Sequence, residues 1–412
     1  MNMTYYELKK VFVKTSSKAA LGTLLILLIV FSFLSVNNMT YVDENGETEK
    51  GRTAAVNLRQ EKERWEGPLT EETVARVIRE NSRINQSREA RSEDVQEQNK
   101  AYSRTQGYED IRLLIDSAFG GFGGFDYYRI DSLKAEDAEE FYAKRTENLK
   151  AWLADENGGA GRFTKEEQQY LLQRYEAMPI PLYYEAADGW DKLFERLPSL
   201  LMILVLILGF LVSGIFPCES QLKADSVFYA SFHGRRKAVR AKLGAGFLLV
   251  TMVYWAAALI YTAAVLGFLG AGGMDCRIQT AFISWESFYN LTFGQLYLLC
   301  VAGGYLGSLF TAFLAMLIGA KTKSAVVSVI VPFILLLIPM FLTNVELPAL
   351  DQIKPLLPNQ LVQINFLVEE FRLYSIGDQI TGAPQILFPL YLALTALICP
   401  MLYRLFRKAE VK

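Results

Sequence analysis

Long apolar runs alternate with polar stretches along this 412-residue chain. Six runs contain no Asp, Glu, Lys or Arg through their centres, and each approaches the roughly 20 residues that a helix needs to cross a bilayer. They lie near 19–37, 198–217, 244–270, 295–320, 324–343 and 386–404. A helix buried in a soluble protein is rarely apolar on all sides over such a length, so the pattern predicts six transmembrane helices.

The first run has two interpretations. Four lysines precede it, as in the basic region of a signal peptide: Lys9, Lys10, Lys14 and Lys18. The run is longer than the roughly 7–15 apolar residues of a signal peptide, and Ser35-Val36-Asn37 offers no small-residue cleavage site. We therefore interpret the run as an uncleaved anchor, with a cleaved signal peptide as the alternative.

The distribution of basic residues predicts the orientation in the membrane. If the N-terminus lies inside, the inner pieces carry sixteen Lys and Arg residues. The two short outer loops then carry only Arg277, Lys354 and Arg372. Basic residues accumulate on the cytoplasmic side of membrane proteins, so both termini are predicted to be cytoplasmic in a multi-pass protein of the cell membrane.

The polar stretch at 38–197 is long enough to form a domain with its own core. It is acidic, with 33 acidic and 23 basic side chains, whereas the whole chain has a net charge of only −2. An acidic outer domain could receive cationic ligands, although a solvated surface also needs charge. Helix spacing after Thr70, a capping box at Thr164 to Glu167 and a glycine turn at 120–124 predict a mostly helical extracellular domain.

These patterns together predict an all-α polytopic membrane protein. The predicted order is a cytoplasmic amphipathic helix at 1–18, a first span at 19–37, the extracellular domain at 38–197, a second span at 198–217, a cytoplasmic loop at 218–243, three spans within 244–343, an extracellular amphipathic segment at 344–385, a sixth span at 386–404 and a cytoplasmic tail at 405–412. The segment at 344–385 either lies in the outer interface or dips into it. The residues predicted to anchor the chain at the interface are Tyr183, Tyr184, Trp190, Trp285 and Tyr289.

Several kinds of chemistry have no signature in this sequence. There is no Walker motif, no metalloprotease, serine-hydrolase or kinase motif, and no acidic or basic residue at the centre of a span. The four cysteines give no disulfide framework or metal motif, and His233 is the one histidine. We expect no catalytic, cofactor or metal site, so energy for any transport would come from a separate subunit.

The loop at 218–243 is the candidate docking element for such a subunit. Its first half can form a helix with apolar and aromatic side chains for contact, and its second half is a Gly-Arg-Arg turn that leads to Lys242. The residues that we assign to docking are Glu219, Leu222, Phe228, Tyr229, Phe232, Gly234, Arg235, Arg236 and Lys242. A positive-inside loop whose aromatic residues lie on lipid is the alternative.

This loop resembles the coupling region of ABC-2 type transporter permeases, the membrane subunits of type V exporters. In that family a Glu ends the second span, a coupling helix follows, and a small-residue-Gly-Arg turn leads to a Lys that begins the third span. Glu219, Ser231, Gly234, Arg236 and Lys242 match these places, whereas Lys223-Ala224-Asp225 replaces a small Gly-Thr pair. Residues 6–12 are similar to the family's elbow helix, and Tyr184 with Gly189-Trp190 resembles a Gram-positive subgroup with a large domain between the first two spans.

The resemblance implies a half-transporter without enzymatic activity of its own. A separately encoded ABC ATPase subunit would bind ATP and dock on the loop, and a second permease copy, identical or related, would complete the unit. Membrane lipid is the other expected partner, and no nucleic acid is expected. The substrate would be an amphiphile such as an antimicrobial peptide, a drug or a lipid.

Two further questions stay open at this stage. Gly303 and Gly307 in the fourth span allow close helix packing, either within the subunit or between two copies. The alternative function is a sensory or signalling membrane protein whose extracellular domain binds a peptide.

Overall fold

The computed structural model describes residues 3–223, 236–341 and 348–407. Within these residues the chain is mostly helical, and the described strands form three two-stranded antiparallel sheets. This agrees with the predicted all-α class, with small hairpins added.

Five of the described helices are long and apolar enough to cross a membrane. They are α2 (Thr15–Asn37), α9 (Asp188–Ser213), α11 (Arg236–Leu269), α12 (Phe293–Thr322) and α16 (Ala383–Arg407); the amphipathic α1 (Met3–Val13) precedes them, and the short α10 (Cys218–Gln221) follows α9. The chain is therefore a multi-pass membrane protein by the length and apolar character of its helices.

The predicted span at 324–343 differs from the other five. The helix found there, α13 (Ala325–Phe341), has 17 residues and contains Pro332 and Pro339. It is apolar but shorter than the roughly 20 residues of a typical span.

Helices α9 and α12 form the centre of the bundle. In their apolar windows 61% and 67% of residues are buried, against 17% in α2. Helix α2 is apolar on all sides, and four of its large side chains are nevertheless exposed: Leu25, Ile26, Ile29 and Phe33. A helix with this exposed apolar surface is suited to contact with lipid, whereas α9 and α12 are enclosed by protein.

The inserted domain lies between α2 and α9 and has its own core. Its helices are α3 (Gly51–Glu63), α4 (Glu71–Asn85), α5 (Val95–Ser103), α6 (Glu109–Gly120), α7 (Phe141–Ala154) and α8 (Lys165–Glu176), with strands β1 (Thr40–Val42), β2 (Thr48–Lys50), β3 (Gly67–Pro68) and β4 (Tyr183–Tyr184). Leu69, Val74, Ile78 and Ile111 belong to a core of its own. We call the end of the bundle that touches this domain the domain end, and the opposite end, where α1 lies, the far end.

Local capping rules explain where the helices of this domain begin. Thr70 Oγ1 accepts a hydrogen bond from the backbone N–H of Thr73 at 3.2 Å, and α4 begins directly after it. Thr164 and Glu167 form the predicted capping box of α8. Gly121 and Gly123 have φ values of +87° and +68°, so the predicted glycine turn is confirmed at residues where a side chain would be strained.

The segment after α13 does not lie on the surface of the bundle. It contains α14 (Pro348–Ile353), a 3₁₀ turn at Pro358–Val362, α15 (Ile364–Leu367) and a hairpin of β5 (Leu373–Ile376) and β6 (Gln379–Gly382). A side chain at Gly303 of α12 would lie 2.5 Å from the carbonyl oxygen of Leu361. Gly303 is ten residues into α12, a depth of about 15 Å from its first residue at 1.5 Å per residue. The segment therefore dips into the bundle, and Gly303 and Gly307 pack against it within the same chain.

Four of the five aromatic residues predicted as interface anchors are buried in protein, whereas Tyr183 is 55% exposed. Trp285 belongs to the core of the inserted domain, and Tyr184, Trp190 and Tyr289 are also buried. The interpretation as an interfacial belt is therefore wrong for these four residues. Trp285 and Tyr289 are buried because the connection between α11 and α12 folds against the inserted domain and the bundle.

Candidate functional site

A cavity of about 450 Å³ lies at the domain end of the bundle. Five separate parts of the chain form its walls: the inserted domain, the first turns of α9, the 280–284 loop, the first turn of α12 and the segment around α15. Its lining residues are Asp110, Leu113, Tyr184, Glu185, Ala187, Asp191, Lys192, Phe194, Glu195, Thr280, Ala281, Phe282, Ile283, Ser284, Phe293, Leu296, Asn365, Phe366 and Glu369. We refer to it as the domain-end cavity.

Apolar side chains make up much of the wall of this cavity. Phe194, Phe293 and Leu296 are buried side chains from α9 and α12, and Phe366 and Ile283 are exposed apolar residues of the two loops. Ligand pockets are typically concave and mostly apolar, with a few polar groups that orient the ligand. The wall is therefore suited to the apolar part of an amphiphile.

Two of the carboxylates that line the cavity have cationic partners. Asp110 accepts from the ammonium of Lys62 at 2.7 Å, and Glu195 accepts from the ammonium of Lys192 at 3.0 Å. These charges are compensated within the chain.

Three other carboxylates in the lining make no ion pair with the described residues: Glu185, Asp191 and Glu369. Asp191 lines the cavity, and its accessible surface lies there. Burial raises the pKa of Glu369 to about 7, although the hydroxyl of Ser284 donates to it at 3.5 Å. Above about pH 7, where Glu369 is ionised as well, the cavity therefore has negative charge that no ion pair with the described residues compensates.

Asn365 adds a polar group with unused hydrogen-bonding capacity. Its side chain lines the cavity, the residue is only 7% exposed, and its amide makes no side-chain hydrogen bond to the described residues. Its amide nitrogen and oxygen are not among the fully enclosed unpartnered atoms of the described residues, which is consistent with their reaching the open space of the cavity. The amide can bond to a polar group of a ligand in the cavity.

A buried ion triad fixes the wall where the inserted domain meets α9. The ammonium of Lys62 donates to Asp110 and to Asp188, both at 2.7 Å, and the hydroxyl of Tyr184 donates to Asp110 at 2.7 Å. Burial would lower the pKa of Lys62, but the two carboxylates outweigh it and raise that pKa above its usual value. The triad joins α3, α6 and the first turn of α9 through charge-assisted hydrogen bonds.

A second anchor holds the inserted domain on the loop between α11 and α12. The guanidinium of Arg145 donates to the carbonyl oxygens of Trp285 at 2.9 Å and Ser287 at 2.7 Å. It also lies 3.7 Å from the ring centroid of Tyr175. Since residues 280–284 of this loop line the cavity, Arg145 helps to fix the position of that wall.

A different charged cluster lies at the far end. The fully buried ammonium of Lys242 donates to both carboxylate oxygens of Glu219, at 2.9 and 2.8 Å, and lies 3.4 Å from a carboxylate oxygen of Glu7. The ammonium of Lys10 contacts Glu7 at 2.9 Å and Glu219 at 3.2 Å. We call these four residues the far-end cluster; it joins α1, α10 and α11.

The structure bears on the predicted docking residues in three ways. Glu219 and Lys242 are buried and pair with each other, so their side chains are not available for direct contact with another subunit in this arrangement. Leu222 is 73% exposed and accessible to a partner. Phe228, Tyr229, Phe232, Gly234 and Arg235 lie outside the described residues; Arg236 is the first residue of α11. The docking role of the loop stays a prediction.

Sequence reasoning missed the domain-end cavity. One local signal was present, because Asp188, Asp191 and Glu195 are spaced to lie near one face of a helix directly before an apolar run. Within the described ranges 3–223, 236–341 and 348–407, no group of three His, Cys, Asp or Glu residues could hold a metal ion. The carboxylates of the cavity therefore do not form a metal site with one another.

Comparison with known proteins gives no further assignment. No protein-family model, characterised protein or solved structure matches this chain.

Proposed function

We propose that this chain is the membrane permease subunit of an ATP-driven transporter, and that it takes an amphiphile into the domain-end cavity. The observation that carries the proposal is the cavity itself, an apolar chamber with polar groups at the junction of the helical bundle and the inserted domain. An amphiphile can enter such a chamber with its apolar part against Phe194, Phe293 and Leu296 and its polar part toward the carboxylates.

The distribution of charge supports an orientation with the domain end outside the cell. Sixteen basic residues lie on the pieces that would face the cytoplasm, against three on the short outer loops. In this orientation both termini are cytoplasmic, and α13 is the fifth of six spans. The segment around α15 then contacts protein rather than lipid. Irregular backbone is tolerated at membrane depth where protein buries it.

The far-end cluster supports the cytoplasmic loop as the place where energy enters. Glu219 lies in the short α10 at the start of the loop, and Lys242 lies in the first turns of α11 after it. Because these residues pair with each other and with Glu7, a force on the loop would act on α1, α10 and α11 together. An ABC ATPase subunit docked on residues 219–236 and a second permease copy are the partners of this proposal.

The test is co-purification of the permease with its ATPase. The triple variant Phe228→Ala, Tyr229→Ala and Phe232→Ala is expected to weaken ATPase binding by about tenfold or more, because aromatic anchors carry much of the energy of an interface. Val326→Ala is the control, since Val326 is an apolar residue that is exposed near the far end. Equal ATPase binding and stimulated hydrolysis in the triple variant and the control would refute the docking assignment.

A sensory protein is the second candidate function. The observation in its favour is that the inserted domain supplies Asp110, Leu113 and Tyr184 to the cavity, so a ligand would contact the domain and the bundle together. Reconstitution separates the two candidates. ATP-dependent movement of an amphiphile across the bilayer supports transport, whereas ligand binding without movement supports sensing.

A further inference from the structure

The charges around the domain-end cavity carry information about its ligand. Asp110 and Glu195 have lysine partners, whereas Glu185, Asp191 and Glu369 have no ion-pair partner among the described residues. A carboxylate in an apolar enclosure is costly unless a cation or hydrogen bonds compensate it. The unpaired carboxylates of the cavity therefore favour the binding of a positively charged group.

The remaining wall fits the apolar body of such a ligand. The rings of Phe194 and Phe293 have their centroids 6.4 Å apart and are nearly parallel, and Leu296 lies beside them in the lining. Aromatic faces attract cations as well as apolar groups, so these rings do not oppose a positive charge. A volume of about 450 Å³ lies within the range of small-molecule sites, which indicates one compact amphiphile rather than a folded peptide.

The acidic side chains are accompanied by a second, independent feature that indicates a ligand. Asn365 is more than nine-tenths buried and lines the cavity, and its amide makes no side-chain hydrogen bond to the described residues. Its position one residue before Phe366 and four before Glu369 places amide, ring and carboxylate on one short segment. Such a segment can hold a polar group, an apolar body and a positive charge together.

We infer that the domain-end cavity binds a compact amphiphilic cation, with its positive charge near Asp191 and Glu369 and its apolar body against Phe194, Phe293 and Leu296. This inference deepens the proposed function and rests on it for the role of the cavity in transport. It excludes anionic amphiphiles of the same size as preferred ligands.

A matched pair of ions tests this inference without any substitution. Tetraphenylphosphonium and tetraphenylborate both carry four phenyl groups around a central atom and differ in the sign of their charge. We expect tetraphenylphosphonium to bind saturably to the full chain in phosphatidylcholine nanodiscs, as measured by equilibrium dialysis, and tetraphenylborate not to do so. Zwitterionic lipid is needed because anionic lipid would itself attract the cation. Equal binding of both ions, or saturable binding of neither, would overturn the inference.

Substitutions then locate the bound cation. The double variant Asp191→Asn and Glu369→Gln keeps side-chain size, and we expect it to weaken binding of tetraphenylphosphonium by about tenfold. The control Glu93→Gln and Glu156→Gln removes two exposed carboxylates of the inserted domain and should bind as the wild type does. An equal loss in the control would show that overall charge, rather than the cavity, attracts the cation.

The outcome is separate from that of the transport test. Selective binding of tetraphenylphosphonium without ATP-dependent movement would retain the cation site and refute the permease. Movement of amphiphiles with no preference for the cation would retain the permease and refute the cation site.

Discussion

The two ends of the helical bundle use the same charged groups in different ways. At the far end, Glu7 and Glu219 contact Lys10 and Lys242 at distances of 2.8 to 3.4 Å, and the ammonium of Lys242 is fully buried. At the domain end, Glu185, Asp191 and Glu369 line an open cavity without an ion-pair partner among the described residues. Carboxylates with lysine partners hold helices together, whereas carboxylates without them leave capacity for a ligand.

The Lys62 triad shows that this difference does not follow from position alone. It lies at the domain end, yet Lys62 compensates Asp110 and Asp188 in the same manner as Lys242 compensates Glu219. The two kinds of carboxylate are therefore neighbours in the wall of one cavity. Substitutions that remove a paired cation or an unpaired anion should affect stability in opposite directions.

Lys242→Met is expected to have the largest effect. It would leave Glu219 and Glu7 buried without their main cation, since Lys10 is itself 44% exposed. Removal of one partner of a buried ion pair typically costs about 3–5 kcal/mol of unfolding free energy. Thermal unfolding in nanodiscs would measure this as a large drop in Tm.

Two further variants make that result interpretable. Lys9→Met removes an exposed lysine of α1, the helix that carries Glu7 and Lys10, and should leave Tm close to the wild-type value. The double variant Glu219→Gln and Lys242→Met should recover part of the lost stability, because it removes the unpaired charge. If Lys242→Met is as stable as Lys9→Met, the far-end cluster does not hold the bundle together.

Much of the helical architecture could be predicted because its signals are local. Five spans follow from apolar runs, and the starts of α4 and α8 follow from Thr70 and the Thr164 capping box. The start of α9 at Asp188, ten residues before the predicted span, was missed because charged residues in its first turns interrupt the apolar run. Helix formation and membrane crossing are separate properties, and the apolar pattern reports the second.

The cavity and the far-end cluster could not be predicted in the same way. The cavity combines side chains as distant in sequence as Asp110 and Glu369, and apolar periodicity does not report such contacts. Glu219 and Lys242 were selected through resemblance, but burial and pairing are properties of the folded chain. Trp285 shows the same limit, since its sequence position indicates an interface and its tertiary contacts place it in a core.

Lys62→Met is expected to have the second largest effect. Asp110 and Asp188 would lose a buried cation, but their side chains are 28% and 18% exposed and water can compensate them in part. We expect a loss of roughly 2 kcal/mol in the free energy of unfolding, below the usual range for a fully buried pair. Hydrogen exchange should become faster in α3 and in the first turn of α9.

The control Lys100→Met breaks an exposed pair with Glu97, which is typically worth less than about 1 kcal/mol. A similar response in both variants would contradict a special role for the triad.

Gly303→Ala tests whether the segment around α15 shapes the cavity. A methyl group at Gly303 would lie 2.5 Å from the carbonyl oxygen of Leu361 and 2.9 Å from a side-chain carbon of Ile364. Such overpacking typically costs about 1–3 kcal/mol, and the segment it displaces carries Asn365 and Glu369. We expect a lower Tm and weaker binding of tetraphenylphosphonium.

The control for this variant is Gly267→Ala in α11. No atom of the described residues lies within 4 Å of a methyl group at Gly267, so this change should leave Tm and binding unchanged or raise Tm slightly through helix propensity. Unchanged tetraphenylphosphonium binding in a destabilised Gly303→Ala variant would show that the segment supports the fold but does not shape the cavity.

Glu369→Gln is expected to have the smallest effect and the opposite sign. The pKa of Glu369 is about 7 in the folded chain against an ordinary value of 4.5, because burial disfavours its charge. The other charged groups that line the cavity with it are Asp110, Glu185, Asp191, Lys192 and Glu195. Since the folded state holds the proton more tightly, this carboxyl lowers stability as pH rises from about 4.5 to about 7, and the deficit persists above that pH.

The glutamine variant should therefore be more stable than the wild type at pH 8, by about 1 kcal/mol or less because the cavity admits solvent, and nearly equal to it below pH 5. Glu370→Gln is the matched control, since Glu370 is exposed next to Glu369 and pairs with Arg372 at 3.4 Å.

A saturating concentration of tetraphenylphosphonium should make the wild type more stable than the Glu369→Gln variant at pH 8, because the charged carboxylate of Glu369 would then have a cation to compensate it. If the glutamine variant stays the more stable protein in the presence of the cation, Glu369 is not part of the cation site, and the contrast between the two ends of the bundle loses its functional meaning.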